Sequence, residues 1–295
     1  MLSILIPIYN YKVEKLVRAL MRQAHRLKID YEILCFDDGS RKKIKYENSV
    51  LSDYFGVNYT ELSENLGRAR IRNWLAKSAS FENLLFLDCD SKVISKSFLE
   101  NYIQYIDDYD LVAGGRVYSK KAPRAKSKKL HWSYGKKFES MVLRKRQSDP
   151  WMNFHSNNFM VRREVLIDNP FDEDIKGYGY EDLEWAYAIA KKNYRLLHID
   201  NPVEHLGIET AKEFLKKQKK SLQNLLRLNS EKSFETRLTR FCDKLKNWKI
   251  SDLIHKRYAH KLPKLEEKLT TSVNSAYKFQ FFKVIYFLDL KKNNI

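Results

Sequence analysis

The first two hundred residues alternate between short apolar runs and amphipathic segments, and this alternation restricts the folds open to the chain. Apolar runs predict strands at 2–8, 31–37, 57–62, 83–88, 110–118, 158–161 and 195–200. Apolar residues at three-and-four spacing predict helices over 13–27, 67–79 and 97–106, and a further helix from Glu181. Strands that alternate with helices favour a mainly parallel sheet covered on both faces.

The character of the chain changes after residue 206. Residues 207–295 contain 21 Lys and Arg against 9 Asp and Glu, so most of the net charge of +18 lies there. The segment 212–228 has the pattern of a basic amphipathic helix, and the rest is also typical of helices. We therefore predict an α/β domain over 1–206 and a basic, helical extension over 207–295. The excess charge indicates either an anionic partner or a solvated lysine-rich surface.

Several protein classes do not fit the sequence. No apolar run approaches the length that crosses a bilayer, and the first residues lack the basic region of a signal peptide. The three cysteines are widely spaced and odd in number, which argues against a disulfide framework or a zinc site. We expect a cytoplasmic protein, with peripheral contact at the inner face of the membrane left open.

Two acidic motifs follow predicted strands. Asp37 and Asp38 open the sequence DDGS after the second strand, where a carboxylate could bind a base or ribose, or simply form a turn. Asp88 and Asp90 in LLFLDCD end another strand. Two carboxylates so close repel each other unless a cation lies between them, and Mg²⁺ or Mn²⁺ prefers such oxygen ligands. A solvated acidic loop is the alternative.

Further candidates lie in three other segments. In GYGYEDLEW, Tyr178 and Tyr180 could stack on a sugar, and a carboxylate of Glu181 or Asp182 could act as a general base or stabilise the helix start. His205 could ligate a metal or be structural. In ENLGRARIRN, arginines including Arg72 lie near a predicted helix start, where they could bind phosphate or form a basic helix surface.

Taken in order, these motifs resemble glycosyltransferase family 2, which has the GT-A nucleotide-sugar fold. The resemblance covers about residues 1–206 and rests on these segments: SILIPIYN, DDGS, ENLGRARIRN, FLDCD, NNFMVRREVL and FDEDIKGYGYEDLEWAYAIAKKNYRL. The last segment is similar to galactosyltransferases and chondroitin-polymerase-type transferases, although tyrosines stand at 178 and 180 where tryptophan is common. The extension after 207 matches no family pattern.

The resemblance implies a Rossmann-like fold and an inverting, metal-dependent transfer from a nucleotide-diphosphate sugar, with UDP-sugars favoured. It assigns Pro7, Tyr9, Asp38, Arg72 and Asp88 to the nucleotide sugar. It assigns Asp90 and His205 to Mn²⁺ or Mg²⁺, with Asp88 assisting. It makes Asp182 the catalytic base with Glu181 beside it, and places Tyr178 and Tyr180 against the acceptor or sugar.

The acceptor implied is a glycan or a lipid-linked sugar, in surface polysaccharide synthesis, with the basic extension available for membrane contact. Nucleic acid is not expected as a partner. Two other readings compete. A nucleotidyltransferase would require a glycine-rich basic signature that IPIYNYKVEK lacks. A non-enzymatic protein that binds nucleic acid or a membrane surface would explain the charge but not the acidic motifs.

Overall fold

A seven-stranded sheet forms the centre of the first part of the chain, in a computed structural model that describes residues 1–271 and 276–293. The ten strands are β1 (Leu2–Ile8), β2 (Tyr31–Asp37), β3 (Val57–Glu61), β4 (Asn83–Leu87), β5 (Ser91–Val93), β6 (Leu111–Ala113), β7 (Arg116–Val117), β8 (Asn158–Arg162), β9 (Leu196–His198) and β10 (Val203–His205). The sheet order is β3-β2-β1-β4-β8-β6-β9. Only β8 runs antiparallel to its neighbours, so the predicted mainly parallel sheet is confirmed.

Helices of very different length connect and follow these strands. Those of the first 206 residues are α1 (Glu14–Leu27), α2 (Lys42–Asn48), α3 (Arg68–Ser78), α4 (Glu100–Ile103), α5 (Lys129–Tyr134), α6 (Leu143–Gln147), α7 (Arg163–Asp168) and α8 (Glu181–Ile189). Those that follow are α9 (Ala211–Lys232), α10 (Arg237–Asn247), α11 (Ser251–Tyr258), α12 (Leu262–Thr271) and α13 (Ala276–Asn293). The mixed α/β fold with a helical C-terminal region is therefore as predicted.

The core lies on both faces of the sheet because side chains alternate along each strand. Ile4 and Ile6 of β1 pack on the face that carries Leu20 of α1. Leu5 points to the opposite face and packs with Leu75 of α3. All five side chains are fully buried, which is the pattern of a sheet covered by helices on both sides.

The predicted extended segment 110–118 divides into two strands at a pair of glycines. A Cβ on Gly114 would lie 2.5 Å from Nδ2 of Asn158, and Gly115 has a φ of 84°. The chain therefore leaves the main sheet after β6, and β7 enters a second, three-stranded sheet with the order β5-β10-β7. In that sheet β10 pairs antiparallel with β5 and parallel with β7. The predicted helix over 97–106 is regular only at Glu100–Ile103.

The chain divides into two compact units. The first contains Met1–Tyr118, Ser140–Lys176 and Glu181–Gly207. The second contains Ser119–Glu139, Gly177–Tyr180 and the described residues from Ile208 onward. Two segments from before residue 207 thus pack with the C-terminal helices, whereas the sequence predicts two continuous domains.

The second unit has a core of its own, in which aromatic side chains dominate. Phe214 of α9 packs against Phe279 of α13 with ring centroids 5.1 Å apart, and Tyr134 of α5 lies against both. A capping box at Thr210 and Glu213 starts α9. Among the described residues, no helix combines the length and apolar character that crossing a bilayer requires.

Candidate active site

The candidate site lies at the carboxyl ends of β1, β2 and β4. From β1 the sheet continues through β2 and β3 on one side and through β4 on the other, so the strand order changes direction between β1 and β4. Ligands of open α/β sheets bind at such a point. The loops there carry Tyr9, Asp38 and Asp88–Asp90, as the sequence predicts.

Asp90 and His205 lie together because of the second sheet. Strand β10 pairs with β5 so that His205 stands opposite Ser91, one residue after Asp90. The backbone N–H of Leu206 donates to the carbonyl of Asp90 at 2.8 Å. These contacts place Nδ1 of His205 3.3 Å from Oδ1 of Asp90. The sequence shows neither β10 nor its partner strand, so this proximity depends on the fold.

The carboxylate of Asp90 is held without full hydrogen bonding. Within the described residues, its Oδ1 is buried and makes no hydrogen bond of good geometry, although Nδ1 of His205 lies within ion-pair distance. Burial works to raise the pKa of Asp90, but His205, Arg116 and Arg68 hold that pKa below its ordinary value. The oxygen is therefore charged, desolvated and directed at an imidazole nitrogen.

This arrangement fits a divalent cation. No group of three or more His, Cys, Asp and Glu suited to a metal occurs among residues 1–271 and 276–293. Asp90 and His205 would be the main protein ligands, with Asp88 two residues before Asp90 in the chain. Mg²⁺ and Mn²⁺ sites in enzymes of phosphate chemistry commonly use one or two protein ligands, with substrate phosphates and water completing the shell. An unsatisfied buried carboxylate oxygen beside a histidine is consistent with that chemistry.

Asp88 lies in a different environment from Asp90. Its Oδ1 accepts a hydrogen bond from Nη2 of Arg72 at 2.8 Å, and its backbone N–H donates to the carbonyl of Asn157. Arg72 is only 2% exposed, and so it lies beneath the site. Arg72 therefore supports the carboxylate of Asp88 from within the fold.

Glu181 belongs to the same buried ionic network. Its Oε1 lies 3.4 Å from Nη1 of Arg68 and 3.8 Å from Nη1 of Arg72. The glutamate is 3% exposed and its charge is balanced by two guanidinium groups. The network joins the loop after β4 to the first turns of α3 and α8. In this network Glu181 helps to hold the two arginine side chains in place.

Asp182 has a second set of partners. Oδ2 lies 3.7 Å from Nδ1 of His155 and accepts a long hydrogen bond, 3.4 Å, from the backbone N–H of Ser156. Oδ1 accepts from the N–H of Leu183. Burial works to raise the pKa of Asp182, but His155 and two arginines hold it well below the ordinary value. The carboxylate is therefore ionised at neutral pH.

His155 and Arg116 are absent from the residues that the sequence predicts for the site. His155 comes three residues before β8, which pairs antiparallel with β4 so that Asn158 stands opposite Leu87. This pairing brings the loop before β8 to the end of β4, beside Asp88. Arg116 begins β7, the strand after the glycine pair, and its charge acts on both Asp90 and Asp182. Knowledge of the strand pairing would have identified both residues.

Asp38 organises a loop. Its two carboxylate oxygens accept the backbone N–H groups of Leu66 and Gly67, at 2.6 and 3.1 Å, immediately before α3. Burial raises the pKa of Asp38, and these two N–H groups oppose that shift. Pro7 pairs with Phe36 in the sheet, and Tyr9 after it is 53% exposed. Pro7 and Tyr9 thus lie at the end of β1, and Asp38 follows the neighbouring strand β2.

Tyr178 and Tyr180 belong to the second unit and lie on α9. The Nδ2 of Asn224 donates to the carbonyl of Tyr178 at 3.3 Å, and Nζ of Lys217 lies 5.5 Å from the Tyr178 ring centroid. A Cβ on Gly179 would lie 2.6 Å from Cβ of Ser221. The helix that follows residue 207 therefore shapes the loop that carries both tyrosines.

Comparison with known proteins identifies the family of the chain. Residues 3–169 match the model of the family described as Glycosyl transferase family 2. A Bacillus subtilis protein described as the uncharacterized glycosyltransferase YfnE is 25% identical over 231 residues, which are 62% of this chain and 58% of that protein. The chain thus spans less than two thirds of that relative.

Solved structures share the fold at low identity. The mannosyltransferase PcManGT from Pyrobaculum calidifontis, in complex with GDP-Man and Mn²⁺, superposes with a TM-score of 0.61 at 15% identity, covering 99% of this chain and 86% of the other. Residues 1–349 of S. aureus TarS, in complex with UDP, give a TM-score of 0.53 at 16% identity, with coverages of 99% and 90%. Both similarities concern the fold alone.

Proposed function

The chain belongs to glycosyl transferase family 2 and is a glycosyltransferase, and on that premise we propose that it transfers a sugar from a UDP-sugar, with inversion and with a divalent cation, to a hydroxyl group. The observation that carries the proposal is the buried, unsatisfied Oδ1 of Asp90 beside His205 at the point where the strand order changes direction. A site of this kind attracts the cation that accompanies a diphosphate.

The donor half of the site comprises the strand ends. Asp38 fixes the loop before α3, and the exposed ring of Tyr9 offers a surface to the base. Asp88 is oriented by Arg72 and is assigned to the ribose. Support for a nucleotide sugar comes from the fold relatives, whose complexes contain GDP-Man and UDP. The preference for uridine rests on the motif resemblance.

Asp90 and His205 would hold Mn²⁺ or Mg²⁺. When bound, such a cation neutralises negative charge that develops on a departing diphosphate. The chain supplies the remainder of the electrostatics near these ligands, because Arg68 and Arg116 already act on Asp90. The positive charges of Arg68 and Arg116 also favour the binding of an anionic ligand at the same strand ends.

Asp182 is assigned the proton chemistry. An ionised carboxylate can accept the proton of an acceptor hydroxyl at Oδ2 while the hydroxyl oxygen bonds to the anomeric carbon and the bond from that carbon to the nucleoside diphosphate breaks. Within the part of the chain that the structure describes, Oδ2 has only long contacts, 3.4 Å from the N–H of Ser156 and 3.7 Å from Nδ1 of His155. Glu181, which is bound to arginines, is assigned a supporting role in the same first helical turn.

The acceptor is proposed as a glycan or lipid-linked sugar of a surface polysaccharide. Tyr178 and Tyr180 are assigned to sugar stacking, because flat rings suit the apolar face of a sugar. A cytoplasmic location is part of the same proposal. The experiment that tests the function is a screen of nucleotide sugars for hydrolysis and thermal stabilisation, with and without MnCl₂. Manganese-dependent hydrolysis of one UDP-sugar supports the proposal, and stabilisation by no nucleotide contradicts it.

A further inference from the structure

The outer face of α10 combines cations with large apolar side chains. Phe241, Lys244 and Trp248 follow one another at spacings of three and four residues, so they form a single stripe along the helix and its C-terminal end. Phe241 is 45% and Trp248 64% exposed. Thr239, Cys242 and Leu245 of the same helix are buried beside this stripe. The stripe is therefore turned to solvent while the neighbouring side chains anchor the helix.

The next helix repeats this arrangement. Leu253, which is 67% exposed, shares one face of α11 with Lys256 and Arg257. The inner face of α11 lies on α13, where Nε2 of His255 contacts Oδ1 of Asp289 at 2.9 Å. We call six of the exposed residues of the two helices the α10–α11 surface. Its members are Phe241, Lys244, Trp248, Leu253, Lys256 and Arg257.

The charge of this region is not cancelled locally. Residues 237–258 contain seven Lys and Arg and only two Asp. Both aspartates are bound by α13, since Lys291 contacts Asp243 at 2.9 Å and Lys292 contacts Asp252 at 3.2 Å. Among the described residues, Lys244, Lys256 and Arg257 have no carboxylate within ion-pair distance. The α10–α11 surface is therefore positively charged as well as apolar.

We propose that the α10–α11 surface docks on a bilayer that contains anionic lipid. Lysine and arginine beside exposed Trp, Phe and Leu match the interface of such a bilayer, where headgroups are anionic and the acyl boundary accepts apolar side chains. Trp248 suits the headgroup level in particular. A nucleic acid would bind the cations but would not contact Leu253 favourably, because leucine cannot stack on a base. The helices lie on the surface of the bilayer, because neither is long enough to cross it.

Vesicle sedimentation of the full chain tests the proposal without any catalytic readout, so its result is independent of the proposed function. The probes are vesicles of phosphatidylcholine alone and of phosphatidylcholine with phosphatidylglycerol. The test variant is K244E/K256E/R257E, and its control is K15E/R22E/K77E, which changes the same charge at exposed positions of the first unit. Since each cation near an anionic surface contributes about fivefold in affinity, the test variant should bind mixed vesicles about 100-fold more weakly. The affinity of the control variant for mixed vesicles should stay within about threefold of that of the original chain.

A second pair of variants tests the apolar contribution. Trp248→Ser should weaken binding to mixed vesicles and remove most of the blue shift of tryptophan emission that they cause. Phe55→Ser, at a side chain 89% exposed in the first unit, should change neither. Equal binding to both vesicle types, equal loss in the two charge variants, or an unchanged emission shift in Trp248→Ser overturns the proposal. Displacement of the vesicles by a short DNA duplex at equal phosphate concentration also overturns it, in favour of a nucleic-acid surface.

Discussion

Gly207 stands against the carboxylate of Asp90, with no room for a side chain between them. A Cβ on Gly207 would overlap Oδ2 of Asp90 and lie 2.9 Å from its Cγ. The φ of Gly207 is outside the left-handed region, so a side chain here would act by displacing the carboxylate of Asp90 rather than by straining the backbone. The position of Asp90 is therefore set from both sides, by Gly207 and by the pairing that places His205.

Gly207→Ala should displace Asp90 and weaken manganese-dependent UDP binding by about 10- to 100-fold, the usual effect of disturbing the support of a metal ligand. Calorimetric titration of UDP with MnCl₂ measures this. The control is Gly56→Ala, where a Cβ meets its nearest neighbour at an ordinary 3.6 Å but φ is 75°. That variant should lose stability through backbone strain and keep its UDP affinity. Equal UDP affinity in Gly207→Ala and the original chain would contradict the close-contact argument.

Asp182→Asn should lower transfer by about 10²- to 10⁴-fold, the usual contribution of a general base. The affinity for UDP should stay within about threefold of that of the original chain, because Asp182 is not assigned to the donor. A change of this size is well below the tenfold change that corresponds to about 1.4 kcal/mol. Steady-state transfer and UDP calorimetry on the same preparation separate the two effects. Asp168→Asn, on the exposed side of α7, is the matched control and should behave like the original chain. Undiminished turnover in Asp182→Asn rules out this base.

The pH profile should respond to His155. His155 is among the groups that hold the pKa of Asp182 below its ordinary value, so the carboxylate is ionised, and competent as a base, down to acidic pH. In His155→Ala that pKa rises, and the protonated, inactive form appears at higher pH. The acidic limb of kcat should therefore shift toward neutrality. A profile that does not move would show that His155 has no electrostatic effect on Asp182.

The buried ionic network should matter for stability. Arg72→Met leaves Asp88 and Glu181 without a buried cation and should lower the free energy of unfolding by about 3–5 kcal/mol. Arg70→Met is the matched control, because its guanidinium and Glu173 are both about half exposed, and it should cost less than about 1 kcal/mol. Urea unfolding followed by circular dichroism compares the two. Similar losses in the free energy of unfolding would show that the buried network stabilises the fold no more than an exposed ion pair does.

Much of the fold follows from local sequence pattern. The strands β1, β2 and β4 and the helices α1 and α3 are predictable because each is an apolar run or an amphipathic stretch of adequate length. The strands β5, β7 and β10 have two or three residues each, too few to show a period. Their pairing is a tertiary property, and it is what brings His205 to Asp90.

The candidate site divides in the same way. Asp38, Asp88 and Asp90 are identifiable because they end strands, and strand ends meet at one edge of a parallel sheet. His155 and Arg116 carry no such signal, since a histidine or an arginine in a loop has many roles. Nor does sequence reveal that the loop of Tyr178 and Tyr180 packs on α9, because that contact joins residues 46 positions apart in the chain.

The central claim is that Asp90 and His205 hold a divalent cation that binds with the nucleotide. Calorimetric titration of UDP, with MnCl₂ and with EDTA, tests it most directly in the original chain, Asp90→Asn and His205→Ala. The original chain should bind UDP at least about tenfold more tightly with manganese, a difference of about 1.4 kcal/mol. Both variants should lose that difference and keep the weak, metal-independent binding. Equal affinity with manganese and with EDTA in the original chain would contradict the account.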